Sequence, residues 1–270
     1  MGLKTKVRTL LDPEKRLLAQ IQSRRATANA RRPFPLTADG LLRNLDQSKL
    51  HDLQARHYIP NPGIKKEKYL EFDRWLLTNA WRALDIGLDI QPPKRLLDLG
   101  SGAGFFLHVC KQLGHDVLGL DMEDPSASWY GDLFDLFGIR RVIWRIDPFI
   151  PLPDLGAKFD YVTAFMICFN RFDYPDAWQI DAWRFFLDDL QTRLNPKAVI
   201  WFELNPRSDG THYDPALKTF FQSRGALVDG KRLIWGLTDL QYRTLLKATK
   251  IETHPQRKGS PTLTEPPIPA

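Results

Sequence analysis

Three carboxylates and three glycines stand at intervals suited to holding a small charged ligand. Residues 95–123 read RLLDLGSGAGFFLHVCKQLGHDVLGLDME. Asp98 is followed at every second position by Gly100, Gly102 and Gly104, so a carboxylate opens a turn in which backbone can approach a ligand with no Cβ between them. This is not the G-x-G-x-x-G of a dinucleotide turn, because counted from Gly100 the third position is Phe105. No G-x-x-x-x-G-K-[ST] occurs either, which excludes a P-loop. A carboxylate at the turn repels a pyrophosphate and suits a cation such as an ammonium group. Asp121 lies 23 residues beyond Asp98. An acid there can accept both hydroxyls of a ribose, with Glu123 as its near competitor. Asp147 is the third acid.

The elements that would position these residues alternate in type. Leu96, Leu97 and Leu99 form a short apolar run, as in a strand buried on both faces of a parallel sheet. Residues 105–113 recur with helical period and Gly114 closes them, and residues 116–120 form a second strand ending on Asp121. The pattern then predicts a helix over 126–137, strands over 141–146 and 159–165, a helix over 178–194, a strand over 198–204 and a helix over 215–223. Asp229-Gly230 between two apolar runs is a two-residue hairpin signal. Ahead of the first strand, Asp12-Pro13-Glu14 reads as a helix start. Residues 65–86 read as a long helix, and residues 237–248 as a last one.

The Asp-x-Gly-x-Gly turn, with Asp121 at the next strand end, resembles motif I of class I S-adenosylmethionine (SAM) methyltransferases, over about residues 96–235. The resemblance implies an α/β fold: a doubly wound, seven-stranded, mostly parallel sheet with an antiparallel terminal hairpin, and SAM as cofactor. It implies that Asp98 helps hold the methionine ammonium and that the tail lies against Gly100, Ser101, Gly102 and Gly104. It further implies that Asp121 takes the ribose, with Met122 packing on adenine. Asp147 would take the adenine amino group, with Pro148 and Phe149 beside it; Phe149 suits either stacking on adenine or the core. Ala164, Phe165 and Met166 would end the fourth strand beneath the cofactor and the transferred methyl.

The acceptor is less legible. Adenine and exocyclic-amine methylators of the resembled family carry Asn/Asp-Pro-Pro-aromatic after the fourth strand, and cytosine-carbon methylators carry a Pro-Cys nucleophile. This chain has AFMICFNRF there, which disfavours base methylation but not methylation of an RNA sugar or terminus. Methyl transfer from a sulfonium is an in-line displacement, so a base is optional. No single catalytic residue stands out; the candidates for that role are His212, Tyr213, Asn170 and Tyr58, with His57, Arg171, Glu203 and Asn205 as further groups above the sheet. His108, mid-helix, reads as structural. No His/Cys/carboxylate spacing implies a metal.

Composition bounds the rest. The 270 residues, 43% hydrophobic and 26% charged, suit one globular catalytic domain with appendages. No apolar run reaches transmembrane length, and the basic N-terminus lacks a signal-peptide core, so a cytoplasmic location is expected. Cys110 and Cys168 read as buried free thiols. Residues 1–35 hold nine Lys/Arg against two acids; at +7 they exceed the whole chain's +6, leaving −1 for the remainder. The expected organisation is a basic arm at 1–35, partly helical or disordered, and a helical extension or lid at 36–92. A SAM-binding domain follows at 93–250, then a Pro-rich disordered tail at 251–270. The expected function is methyl transfer to an O, N or C atom of a small-molecule or sugar-like (glycan-like) acceptor. The alternatives are an RNA or protein methyltransferase that uses the basic arm as a tether, with nucleic acid bound through 1–35, and a non-catalytic SAM-binding partner subunit.

Overall fold

A computed structural model describes residues 12–57, 66–167, 169 and 177–257. Its centre is a seven-stranded sheet in the order β3-β2-β1-β4-β5-β7-β6. The strands are β1 (Arg95–Leu99), β2 (Asp116–Asp121), β3 (Arg140–Ile143), β4 (Phe159–Ile167), β5 (Leu194–Leu204), β6 (Leu227–Asp229) and β7 (Arg232–Trp235). β1 to β5 pair in parallel, and only β7 runs against its neighbours, through the hairpin turned by Asp229-Gly230. The order reverses between β1 and β4, the switch point at whose carboxyl edge such sheets bind ligands.

Ahead of β1 come α1 (Pro13–Arg31), α2 (Ala38–Leu42), α3 (Gln47–His57), a 3-10 turn (Lys66–Leu70) and α4 (Phe72–Ile86). Within and after the sheet come α5 (Phe105–Gln112), α6 (Tyr130–Phe137), α7 (Ile180–Gln191), α8 (Pro215–Ser223) and α9 (Asp239–Arg257). Strand alternation divides the apolar residues between two cores. Leu96, Tyr161, Trp201 and Ile234 face α4, α5 and Tyr242 of α9, while Leu97, Val162, Phe202 and Leu233 face α7 and α8.

Several elements differ from the sequence expectation, each for a local reason. β3 stops at Ile143 because β2, the one strand it pairs with among the described residues, ends at the paired Asp121, whose C=O accepts Trp144 N–H. α6 starts at Tyr130, after a separate 3-10 turn at Pro125–Ala127. The helix expected over 65–86 divides into the 3-10 turn and α4, and β5 begins at Leu194 because that residue pairs with Phe159.

The ends of the described chain differ most. α1 continues through the polar run SRRATANARR to Arg31, with Asp12 accepting the N–H groups of Glu14 and Lys15. Ile21 of α1 packs on Leu245 and Ala248 of α9. α9 outlasts the expected 237–248 and covers 251–257, the first part of the stretch expected to be disordered; residues 258–270 lie outside the described ones.

A buried ionic cluster fixes these two helices. Arg25 of α1 reaches Asp89 (3.0 Å), Leu84 C=O (2.6 Å), Thr249 (3.3 Å) and Glu252 (3.4 Å), and Arg24 donates to Ile90 C=O (2.7 Å). Burial pushes the Asp89 carboxyl up to about 6 against the pull of Arg25.

Candidate active site

β1 delivers Asp98 to the carboxyl rim, where it pairs in register with Thr163 of β4. Thr163 Oγ1 donates to Asp98 Oδ1 at 2.6 Å. The carboxyl is buried, and burial pushes it up to about 7, although the Thr163 hydrogen bond and the nearby Arg82 guanidinium pull it down.

The turn that follows needs glycine for its backbone. Gly100, Gly102 and Gly104 have φ of 65°, 52° and 76°, in the left-handed region. A Cβ on Gly102 would meet no atom of the described residues within 4 Å, so that face of the turn is open among them, whereas one on Gly104 would press on the Phe134 ring at 3.0 Å. The turn closes by Gly100 N–H donating to Leu120 C=O (2.8 Å) and Gly104 N–H to Ser101 C=O (2.9 Å).

Asp121 is tied to the same turn. Its Oδ2 accepts Gly102 N–H at 2.6 Å and its Oδ1 accepts Met122 N–H at 2.8 Å. A carboxylate offers about four lone-pair sites, so these bonds orient the group and leave acceptor capacity. Met122 is exposed beside it. Asp147 stands four residues past β3, half-exposed, accepting Arg145 Nε at 2.9 Å, and Pro148 is exposed next to it. Phe149 takes a left-handed φ of 62° and is 57% exposed, touching Phe185 edge-on. It is therefore not a core residue.

Phe165 lies on the same sheet face as Asp98, packed on Phe106 with ring centroids 4.6 Å apart. The Arg82 guanidinium of α4 lies 4.5 Å above the Phe165 ring and donates to Asn79 Oδ1 at 3.1 Å. Past Phe165 the β4–β5 register shifts, and Met166 takes a φ of 57°. Asn205, one of the candidate groups above the sheet, donates its side-chain N–H to the Met166 carbonyl at 2.6 Å and so holds this bulge.

Glu203, paired with Phe165, is buried between Arg232 (3.0 Å) and Lys231 (3.1 Å). Burial alone would raise its carboxyl, but Arg82, Lys231 and Arg232 outweigh burial and hold it below the usual range. A carboxylate so neutralised is a poor proton acceptor. Arg232 also reaches Asp85 of α4 at 3.4 Å.

Tyr213 donates its hydroxyl to Gly230 C=O at 2.6 Å, pinning the loop after β5 to the hairpin. Burial raises its hydroxyl further, which removes it as a ready base. His212 sits beside it, half-buried, on the same loop. Asn170, Tyr58, Arg171 and Cys168 lie outside the described residues, and His57 ends α3. Among the described residues no group of three His, Cys, Asp or Glu could hold a metal.

Cys110 is buried and free, with burial raising its thiol. His108 is structural. Its Nε2 bonds Leu41 C=O at 2.9 Å, its ring stacks on Phe137, and burial pushes it down to about 4. The folded protein keeps it neutral, while an unfolded chain protonates it below about 6.5. Its contribution is therefore present above pH 6.5 and lost as pH falls from there toward 4. Asp98 and Asp89, raised by burial, act in the opposite sense. We expect the acid-side drop in thermal midpoint to be shallower in His108→Gln than in the parent. Equal slopes would refute the assignment.

The sequence pattern alone did not single out Thr163, Arg82 or the Glu203–Arg232 pair. One signal was available: Asn79, Arg82 and Asp85 recur every three residues along α4, a polar stripe beside its apolar one.

A methyltransferase-domain family model matches residues 72–247, most of the chain, and so includes α4 as well as the sheet. A search of curated proteins found no match. Three of the solved structures that resemble the chain are as follows. The ribosomal protein L11 methylase of Lactobacillus delbrueckii subsp. bulgaricus shows 18% identity over 58% of this chain and 75% of that one, with TM-score 0.38. A SAM-bound amino pentose methyltransferase of Micromonospora echinaspora shows 22% identity over 49% and 50%, with TM-score 0.35. DesVI of Streptomyces venezuelae shows 13% identity over 71% and 98%, with TM-score 0.40. The match over 72–247, on a sheet whose first turn carries Asp98 and the three glycines, places the chain in the class I SAM-dependent methyltransferase family.

Proposed function

We propose that the chain transfers a methyl group from SAM to an O, N or C atom of a small-molecule or sugar-like acceptor. The cofactor supplies an activated methyl on a sulfonium. In this reading Asp98 takes the methionine ammonium and Arg82 the methionine carboxylate. The left-handed glycines present their backbone to the tail, Asp121 takes the ribose, and Met122 and Asp147 border the adenine. Phe165 forms the floor below the methyl, with Met166 and the loop carrying His212 on the acceptor side. Nothing in this arrangement needs a dedicated base, because alignment carries most of an in-line displacement.

The observation that carries the small-acceptor reading is the placement of α4, whose Arg82 reaches over Phe165 at 4.5 Å. Sequence ahead of β1 thus forms a wall of the site, and such walls suit an acceptor that is enclosed. The tether alternative loses part of its basis, since Arg25 is buried in an ionic cluster and Arg24 is spent on Ile90. Deleting residues 1–35 would remove a packed helix, so the tether is better tested by reversing the exposed Lys15, Arg16 and Arg31 to Glu.

Methyl-labelled SAM incubated with fractionated cell extract tests the proposal. Label in the small-molecule or glycan fraction supports it. Label in RNA or protein that disappears in the charge-reversed variant supports the tether. Tight SAM binding with no label in any fraction points to a partner subunit.

A further inference from the structure

A cavity of about 400 Å³ lies on the far side of α4 from the methyl-transfer rim. It is bounded by the α1–α2 connection, by α4 and by α9. On α4, Asn79, Arg82 and Asp85 turn toward the rim, whereas Ala80, Trp81 and Leu84 line the cavity. Its other apolar walls are Phe34, Leu36 and the flanking prolines, and its polar groups are Asn29, Arg32, Thr37, Glu252 and Thr253.

The charge pattern inside is uneven. Arg25 takes both acids of the neighbourhood, Asp89 at 3.0 Å and Glu252 at 3.4 Å, and Asn29 also donates to Glu252. Arg32 is half-buried, and burial depresses its guanidinium. That guanidinium donates to Asn29 Oδ1 at 2.8 Å and meets no carboxylate at ion-pair distance among the described residues. Asp89 and Glu252 act on it from beyond contact and offset part of its burial, but both are held by Arg25, so the only group hydrogen-bonded to the Arg32 side chain among the described residues is an amide oxygen, and its donor fork can take a carboxylate. The planar donor fork of arginine matches a carboxylate, and the Trp81 and Phe34 side of the cavity suits a flat apolar body.

We propose that this cavity binds a small molecule with one carboxylate and a planar apolar body, its acid group paired with Arg32. The binding does not depend on methyl transfer, so it stands or falls apart from the reading of the rim.

Calorimetric titration with 3-phenylpropionate and with its neutral amide tests the proposal. The acid should bind with a dissociation constant at or below about 1 mM. The amide should bind at least about tenfold more weakly, the loss of about one charge-assisted hydrogen bond. Arg32→Gln should weaken the acid by a similar factor, and Arg32→Lys should fall between Arg32→Gln and the parent, keeping the charge but losing the planar fork. Saturation with S-adenosylhomocysteine should leave the affinity unchanged. Absence of binding, equal binding of acid and amide, an unaltered affinity in Arg32→Gln, or competition with S-adenosylhomocysteine would each overturn it. Should Arg32→Gln fail to fold, the acid–amide comparison on the parent protein still decides.

Discussion

Asp98→Asn should lose SAM binding by about ten- to a hundredfold while melting no lower than the parent protein. An ammonium held by a buried carboxylate gains a charge-assisted interaction of about 1.5–3 kcal/mol. Asparagine keeps the shape and can still accept from Thr163, whose hydroxyl lies 2.6 Å from Oδ1, but it cannot carry the charge. The fold, by contrast, gains from the change. Burial raises this carboxyl to about 7 from an ordinary 3.8, so the folded state holds a proton that the unfolded chain releases. Stability from this group is therefore highest at low pH and falls as pH rises through 7, a cost that asparagine removes. The same shift makes binding pH-dependent. The cation requires the ionised form, so SAM affinity should fall about tenfold per pH unit below about 7, with a proton released on binding. Calorimetry between pH 5.5 and 8 in buffers of different ionisation enthalpy measures both effects. Parent-like affinity in Asp98→Asn, or a pH-independent parent, would remove Asp98 from the cofactor site.

Arg25→Ala should be the most destabilising single change outside the sheet. The substitution strands Asp89, whose side chain is 1% exposed, with no cation at contact distance, and frees Leu84 C=O and Thr249. Breaking a buried pair by removing one partner costs about 3–5 kcal/mol. For a chain of this size that is a fall in thermal midpoint of roughly 10 °C. Replacing both partners, Arg25→Met with Asp89→Leu, should recover much of the loss, since apolar residues of similar volume often match a buried ion pair. Chemical denaturation of the parent, both single variants and the double variant gives the coupling. Additive losses would mean that the cluster is not a unit. SAM affinity should be unchanged throughout, because Asp98 and its turn belong to other elements.

What was legible in the sequence followed from short-range constraints. The glycine turn, Asp121 and the Asp229-Gly230 hairpin could be read because each is forced by local backbone chemistry, and all three stand where expected. Cofactor identity came from the spacing of Asp98 and its glycines, and the sheet order agrees with it. Residues that act across sequence distance were hidden. Arg82 meets Phe165 only because α4 packs beside β4, and Thr163 meets Asp98 only through strand register. Arg25 sat in a run that reads as a solvated arm, and only the packing of α1 on α9 shows it to be internal. Tyr213 looked available for chemistry by its place on a loop, and its one strong bond, to Gly230, is architectural.

The pairing of α1 with α9 also has a consequence for how the chain is made. Arg25 and Glu252 meet across 227 positions. During synthesis α1 is the first described helix to emerge; Leu84, Asp89 and Ile90 follow ahead of β1, but Leu245, Ala248 and Glu252 follow every strand of the sheet. The methyltransferase sheet can therefore assemble while α1 still waits, its Ile21 uncovered and its Arg25 without Asp89's neighbouring helix to enclose the pair. A chaperone that binds short apolar stretches would have its longest window there, and the closing of α1 onto α9 would mark the end of folding.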